Sequence, residues 1–236
     1  MRGKPLVLPN AWDVPSARAV AAAGFPAVAT TSAGVADALG YEDHEQAPAT
    51  EMFAAAARIA RSVDVPVTCD AEAGYGMDAD ELVEALVKAG VAGCNLEDTD
   101  HTSGHLADVD RQAERLAAIR RAATSRGYPL VINARVDVFL ARNEGSLDER
   151  MKDGIARARA YLEAGVDCVY PILLADETAI GRFVDAVDAP VNILRLPDAP
   201  ATSRLAELGV ARVSYGSRIQ HQLLEQLAKI LVEVER

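Results

Sequence analysis

The sequence predicts an α/β protein, a single (β/α)8 TIM-type barrel over residues 1–236, and three observations carry that expectation. Helical stretches close in an Ala-Gly or Leu-Gly pair at 23–24, 89–90, 164–165 and 208–209, each followed within a few residues by a β-rich run. Where no such glycine appears, Pro66, Pro129 or Pro190 introduces the run instead. Eight units of this kind fill 236 residues without a linker, low-complexity tract or domain break, which favours a closed ring over an open sheet.

Taken in order, the run over 6–10 precedes a helix over 15–23, whose closing glycine supplies the left-handed C-cap. A strand over 27–31 leads into a long irregular stretch, 33–49. The helix over 50–62 places Met52, Phe53, Ala56 and Ile59 on one stripe, with Arg58 and Arg61 opposite. Strand 67–70, helix 78–89 and strand 93–97 follow, and a second irregular piece, 98–108, leads to a helix over 109–125. Strand 130–135, helix 147–164, strand 168–172, helix 177–187, strand 191–194, helix 201–208 and strand 212–216 continue the alternation to a last helix, 221–235. That last helix carries Leu223, Leu224, Leu227, Ile230, Leu231 and Val234 over more than one face, which predicts burial on two sides and a homo-oligomer. Both irregular pieces follow strands, so in a barrel they gather at the C-terminal face, where chemistry is expected.

A net charge of -11 leaves no basic stripe to neutralise phosphates, so nucleic acid is not an expected partner. Cys69, Cys94 and Cys168 each sit inside an apolar run, and an odd count with no close-spaced pair excludes a disulfide framework or zinc site and fits a reducing cytosol. The start, Met1 to Pro5, has no signal-peptide pattern and no segment approaches membrane-spanning length, so a cytoplasmic protein without a membrane partner is expected.

The chemistry is expected at the strand ends. Val67 to Asp70 is an apolar run that ends in two carboxylates one residue apart, Asp70 and Glu72, followed by Gly74 and Gly76. Residues i and i+2 of a strand face the same side, and like charges that close call for a cation, with Mg²⁺ or Mn²⁺ suited to hard oxygen ligands. The alternative is that Asp70 caps the next helix and Glu72 is solvated. Glu97 adds a third carboxylate on the adjacent strand. Arg135, two strands along, suits a substrate carboxylate or phosphonate, or else an internal salt bridge to Glu97 or Asp137. Ser32, Ala33 and Gly34 offer backbone N–H groups for an anionic oxygen where a strand gives way to a loop. Asn10, Trp12, Asn95, Asn133, Asn192 and Ser214 complete the polar or aromatic residues at strand ends, with Trp12 and Asn95 as further substrate contacts.

With those residues in view, the chain resembles the phosphoenolpyruvate mutase and isocitrate lyase superfamily. The likeness rests on Asn10-Ala-Trp-Asp13, Thr31-Ser-Ala-Gly34, Leu39-Gly40 followed by Asp43, Asp70-Ala-Glu-Ala-Gly-Tyr-Gly76, Gly93-Cys-Asn-Leu-Glu-Asp98 and Asn133-Ala-Arg-Val-Asp137. The resemblance implies a barrel, commonly tetrameric with its last helix exchanged between subunits. It implies that Asp43, Asp70, Glu72 and Glu97 hold Mg²⁺ directly or through water, that Ser32 to Gly34 form the substrate carboxylate pocket, and that Arg135 binds substrate. The implied chemistry breaks or forms C–C or P–C bonds beside an α-oxo acid through an enolate. The loop over 98–106 departs from the family, because it holds neither the lyase cysteine nor the mutase lysine. Ser103-Gly104-His105 stands where lyases have Cys-Gly-His, so Ser103 and His105 are candidate catalytic groups, with His101 an alternative proton carrier and exposed polar histidines the plain reading. Pro171 stands where mutases carry a histidine. The leading expectation is therefore a Mg²⁺-dependent C–C lyase of a small α-oxo or α-hydroxy dicarboxylate. A P–C mutase or hydrolase and a non-catalytic binding or assembly barrel are its rivals.

Overall fold

A ring of parallel strands encloses the centre of the molecule in the computed structural model, which describes residues 3–140 and 143–234. The ring runs β2 (Asn10–Ala11), β3 (Val28–Thr30), β4 (Val67–Asp70), β5 (Gly93–Glu97), β8 (Val131–Val136), β9 (Cys168–Pro171), β10 (Asn192–Leu194), β11 (Arg212–Ser214) and β1 (Leu6–Leu8). A bridge between Val169 and Val191 joins β9 to β10. The first stave is split between β1, paired with β11, and β2, paired with β3, because Pro9 between them has no N–H to donate to a ladder. Eight staves result, as the alternation predicts.

The outer layer comprises α1 (Val14–Ala22), α2 (Ser32–Leu39), α3 (Ala49–Ala60), α4 (Ala79–Ala89), α5 (Val109–Ser125), α6 (Leu147–Glu163), α7 (Glu177–Val187), α8 (Thr202–Glu207) and α9 (Arg218–Glu233). Capping boxes start three of them: Asp13 with Ser16 at α1, Asp78 with Glu81 at α4, and Ser146 with Glu149 at α6. Gly90 ends α4 at φ 70, its N–H turned back to the Leu86 and Val87 carbonyls, which is the left-handed stop read from the sequence. Leu82, Leu86, Leu116, Ile119, Phe183 and Tyr161 bury themselves between helices and ring.

Three expectations need correction. The stretch 33–49 is not irregular throughout, for α2 occupies its first half and ends at Gly40 with φ 88. It packs Val35 and Ala36 against Met52 and Ala55 of α3. The stretch 98–108 holds a two-stranded hairpin, β6 (Thr99–Asp100) against β7 (His105–Leu106). The last helix starts at Arg218 rather than His221, and Glu235, its expected end, lies outside the described residues.

Gly93 opens β5 where a neighbouring strand comes very close. A Cβ there would lie 2.7 Å from the Val131 carbonyl oxygen and 3.0 Å from Val131 Cβ, and backbone of a central stave cannot step aside. Gly93→Ala is expected to cost about 1–3 kcal/mol, read as a lower urea midpoint at unchanged m-value.

Candidate active site

The C-terminal ends of the staves surround a cavity of about 560 Å³. Asn10, Thr31, Ser32, Asp43, Asp70, Asn95, Arg135, Tyr170 and Ser214 line its polar side together with Arg218, His221 and Glu225 of α9. The Ala33 backbone edges it, and Ile172, Leu194, Leu196 and Pro197 form an apolar wall. A parallel barrel delivers every stave's last inward residue to this one mouth, which is why residues far apart in sequence meet here.

Asp70 ends β4 with one oxygen, Oδ2, accepting from the Ser32 N–H at 3.0 Å. The other, Oδ1, is buried without a partner, and so is Asp43 Oδ1. A buried carboxylate oxygen left unpaired is costly, so two of them on one cavity mark where positive charge belongs. Asp70 does not cap the following helix, since Asp78 does.

Glu72 is buried rather than solvated, at 2% exposure. Both of its oxygens are taken: Tyr75 Oη donates to Oε1 at 2.6 Å, and the Glu45 N–H donates to Oε2 at 2.6 Å. Tyr75 N–H in turn donates to Glu45 Oε1 at 2.5 Å. Burial pushes the Glu72 carboxyl up to about 7, against the Tyr75 hydroxyl and with help from Asp70 and Asp43. His44, Glu45, Glu72 and Tyr75 all have positive φ, a concentration of backbone strain where the second loop meets the third.

Arg135 makes both of the internal salt bridges that the sequence allowed. Nη1 lies 2.5 Å from Glu97 Oε2, while Nε and Nη2 donate to the two Asp137 oxygens at 2.6 and 2.8 Å. Its planar fork is therefore fixed while its cavity side stays open, as a rigid anion clamp requires. His101 Nε2 lies 2.8 Å from Glu97 Oε1. Burial pushes the Glu97 carboxyl up to about 7, with Arg135 and His101 pulling the other way. Burial opposes a charged His101, but contact with Glu97 and the nearby Glu45 and Glu72 outweighs it and raises the imidazole pKa.

The remaining expected residues are dispersed. Ser103 and His105 sit exposed on the β6–β7 hairpin, where Ser103 Oγ donates to Asp100 Oδ2 at 3.0 Å, and neither lines the cavity. The turn at Gly104, φ 73, pairs His105 with Asp100 and so carries both outward. Trp12 lines a neighbouring apolar groove with Ile219 and Leu223 instead of the main cavity. Ser32, Ala33 and Gly34 form the first turn of α2, which no side chain caps at Thr31, so the Ala33 N–H remains a donor at the mouth. Gly34 leaves no room for a Cβ, which would lie 2.6 Å from Gln220 Oε1 and 2.7 Å from Thr31 Cγ2. Cys69, Cys94 and Cys168 are buried, and burial pushes all three thiols up, which fits inert core residues. Tyr170 was not anticipated, although its two-residue spacing from Cys168 puts both on the inward face of β9.

Among the described residues no three His, Cys, Asp or Glu side chains converge closely enough to ligate a metal by themselves. The two unpaired oxygens of Asp43 and Asp70 fit a hard cation that retains several waters, as Mg²⁺ does, with Glu72 and Glu97 placed behind them.

The family model for phosphoenolpyruvate phosphomutase matches residues 1–235. An uncharacterised protein of Mycobacterium tuberculosis (strain ATCC 25618 / H37Rv) is 37% identical over 92% of this chain and 79% of its own length. A 2,3-dimethylmalate lyase of Eubacterium barkeri is 34% identical over 71% of this chain and 58% of its own. A crystal structure from Burkholderia cenocepacia J2315, of a protein under the provisional name phosphonomutase, superposes with a TM-score of 0.90 at 42% identity, covering 96% of this chain and 93% of that one.

Proposed function

The chain belongs to the phosphoenolpyruvate phosphomutase family, and from that premise we propose a Mg²⁺-dependent lyase that breaks a C–C bond of a small α-oxo or α-hydroxy dicarboxylate through an enolate. One observation carries the reading: the unpaired buried oxygens of Asp70 and Asp43 share a cavity with a guanidinium that Glu97 and Asp137 hold rigid. Asp70 and Asp43 would hold the cation, with Glu72 and Glu97 acting through its waters. When bound, Mg²⁺ supplies the positive charge that stabilises the oxyanion of the enolate.

The chain's own groups do the rest. Arg135 and the Ala33 N–H bind the substrate carboxylate, and the apolar wall of Ile172, Leu194, Leu196 and Pro197 leaves room for carbon substituents beyond a two-carbon acid. Cleavage takes the hydroxyl proton of an α-hydroxy substrate to a base as the carbonyl forms. The electron pair of the broken C–C bond passes into the enolate, whose carbon then takes a proton. We assign this proton traffic to His101, whose Nε2 lies 2.8 Å from the Glu97 carboxylate that also pairs with Arg135, rather than to the exposed His105. Neither imidazole lines the cavity, so His101 would act through Glu97 or a water. The exposed apolar face of α9 supports the further proposal of a homo-oligomer.

The test is turnover of oxaloacetate, 2,3-dimethylmalate and 2-methylisocitrate with Mg²⁺ present, followed by coupled pyruvate and glyoxylate assays and, for oxaloacetate, by release of oxalate and acetate. Release of an α-oxo acid or of oxalate from at least one is expected. A protein that binds the cation and turns over none sinks the reading. The Burkholderia similarity favours one other reading, a P–C mutase or hydrolase, which phosphorus NMR on phosphonopyruvate would reveal. The absence of lysine from the loop 98–108 and Pro171 at the end of β9 rank it second.

A further inference from the structure

Arg212 stands in the barrel interior at 7% exposure, and no carboxylate touches it among the described residues. It starts β11, diametrically across the ring from β5, with four staves' separation either way round. From there Nη2 donates to Asn95 Oδ1 at 3.2 Å, and Nε is buried without a partner. A guanidinium paired with a side-chain amide rather than an acid is an expensive thing to keep in a core, and burial lowers its pKa.

The cost has a chemical consequence. A guanidinium has five donors and no acceptor, so the atom of Asn95 that faces it has to be the oxygen. Asn133 Nδ2 donates to the same oxygen at 2.8 Å. With Oδ1 held by two donors, Asn95 Nδ2 is turned away from them. It makes no hydrogen bond within the described chain and is absent from the buried unpartnered atoms, while Asn95 itself lines the cavity. Asn95 pairs in register with Asp70 on one side and Asn133 on the other, so its N–H group lies on the cavity floor between the cation wall and the Arg135 stave.

We propose that Arg212 is a positioning residue that fixes the Asn95 carboxamide with its N–H side toward the cavity, making Asn95 a donor to an anionic oxygen of the substrate. An unconstrained asparagine could offer either face, and beside Asp70 the cation would favour its oxygen. Arg212 removes that choice. A carboxylate oxygen then meets a neutral donor that adds no charge next to Arg135. The ligand class rests on the proposed function; the orientation of the amide does not.

The experiment has two arms. In the first, calorimetry with Mg²⁺ and oxalate compares wild type, Arg212→Met, Arg212→Lys, Asn95→Ala and the Arg212→Met/Asn95→Ala double variant. Arg212→Met and Asn95→Ala are each expected to weaken oxalate binding about tenfold, and the double variant also about tenfold rather than a hundredfold. Lysine, which likewise lacks an acceptor, should restore binding to within about threefold of wild type. A purely structural role for Arg212 predicts the reverse, an undiminished further loss in the Asn95→Ala background, and that result overturns the proposal. In the second arm, needing no ligand, protein labelled with ¹⁵N at asparagine identifies the Asn95 side-chain NH₂ pair by its loss in Asn95→Ala. The pair should move in Arg212→Met and stay close to its wild-type position in Arg212→Lys. If it does not move in Arg212→Met the inference fails. If it moves but wild type binds no oxalate, the amide orientation stands and the proposed ligand class is what fails.

Discussion

Arg157→Met is expected to lower stability by about 3–5 kcal/mol, a loss typical of removing one partner from a buried ion pair. Arg157 projects from α6 toward the end of β5 and holds Asp98, which is 1% exposed. Its Nη1 contacts Asp98 Oδ2 at 3.1 Å, the Ala107 carbonyl at 2.9 Å and Tyr161 Oη at 3.3 Å. Asp98 also accepts from Tyr161 Oη at 2.7 Å and from the Asp137 N–H at 2.8 Å. Methionine fills the space of the stem but leaves Asp98 with two neutral donors and no positive charge. Burial already raises the Asp98 pKa, with Asp137 adding to it and Tyr161 and Arg157 opposing. Urea unfolding should show a large drop in midpoint. The double variant Arg157→Met/Asp98→Asn should recover at least half of it, because the amide removes the stranded charge. No recovery would mean that the loss comes from packing and not from Asp98.

That cluster also illustrates what the sequence makes legible. Staves and helices follow from local signals, such as the capping pairs Asp78 with Glu81 and Ser146 with Glu149 or the proline before β4, and those signals survive in the structure because neighbouring elements agree with them. The convergence of Asp70 and Arg135 on one mouth follows from strand-end position alone. Helix α2 was hidden because its start at Ser32 directly follows a strand and Thr31 makes no side-chain cap, although Leu39-Gly40 repeats the phrase that ends other helices. The direction of Ser103 and His105 depends on whether 98–108 wanders or folds back, and the Asp100 turn decides it. Nothing local in the sequence marks Arg212 as a buried residue. Only its register against Leu6 and Asn192 in a closed ring turns it inward. Local chemistry fixes elements, whereas partners across the barrel fix what polar side chains do.

Asp70→Asn is expected to reverse the order of stability between wild type and variant when Mg²⁺ is added. Without cation, Asp70 is a carboxylate among carboxylates, and its charge helps to push both Glu72 and Glu97 up. Asparagine keeps an oxygen for the Ser32 N–H, which Asp70 Oδ2 accepts at 3.0 Å, and removes the repulsion. The variant should therefore melt no lower than wild type, and higher by about 0.5–1 kcal/mol, as substitutions that relieve strain at functional sites commonly do. With Mg²⁺ at about a hundredfold its dissociation constant, wild type should gain about 2.7 kcal/mol by mass action, while the variant, with only Asp43 Oδ1 left unpaired, should gain almost none. Turnover should fall at least about 10³-fold, the scale on which loss of electrostatic stabilisation acts. Thermal scans with and without Mg²⁺ decide the matter without any substrate. A variant that is less stable in the absence of cation would show that Asp70 is there for the fold, and one that keeps the full Mg²⁺ shift would place the cation elsewhere.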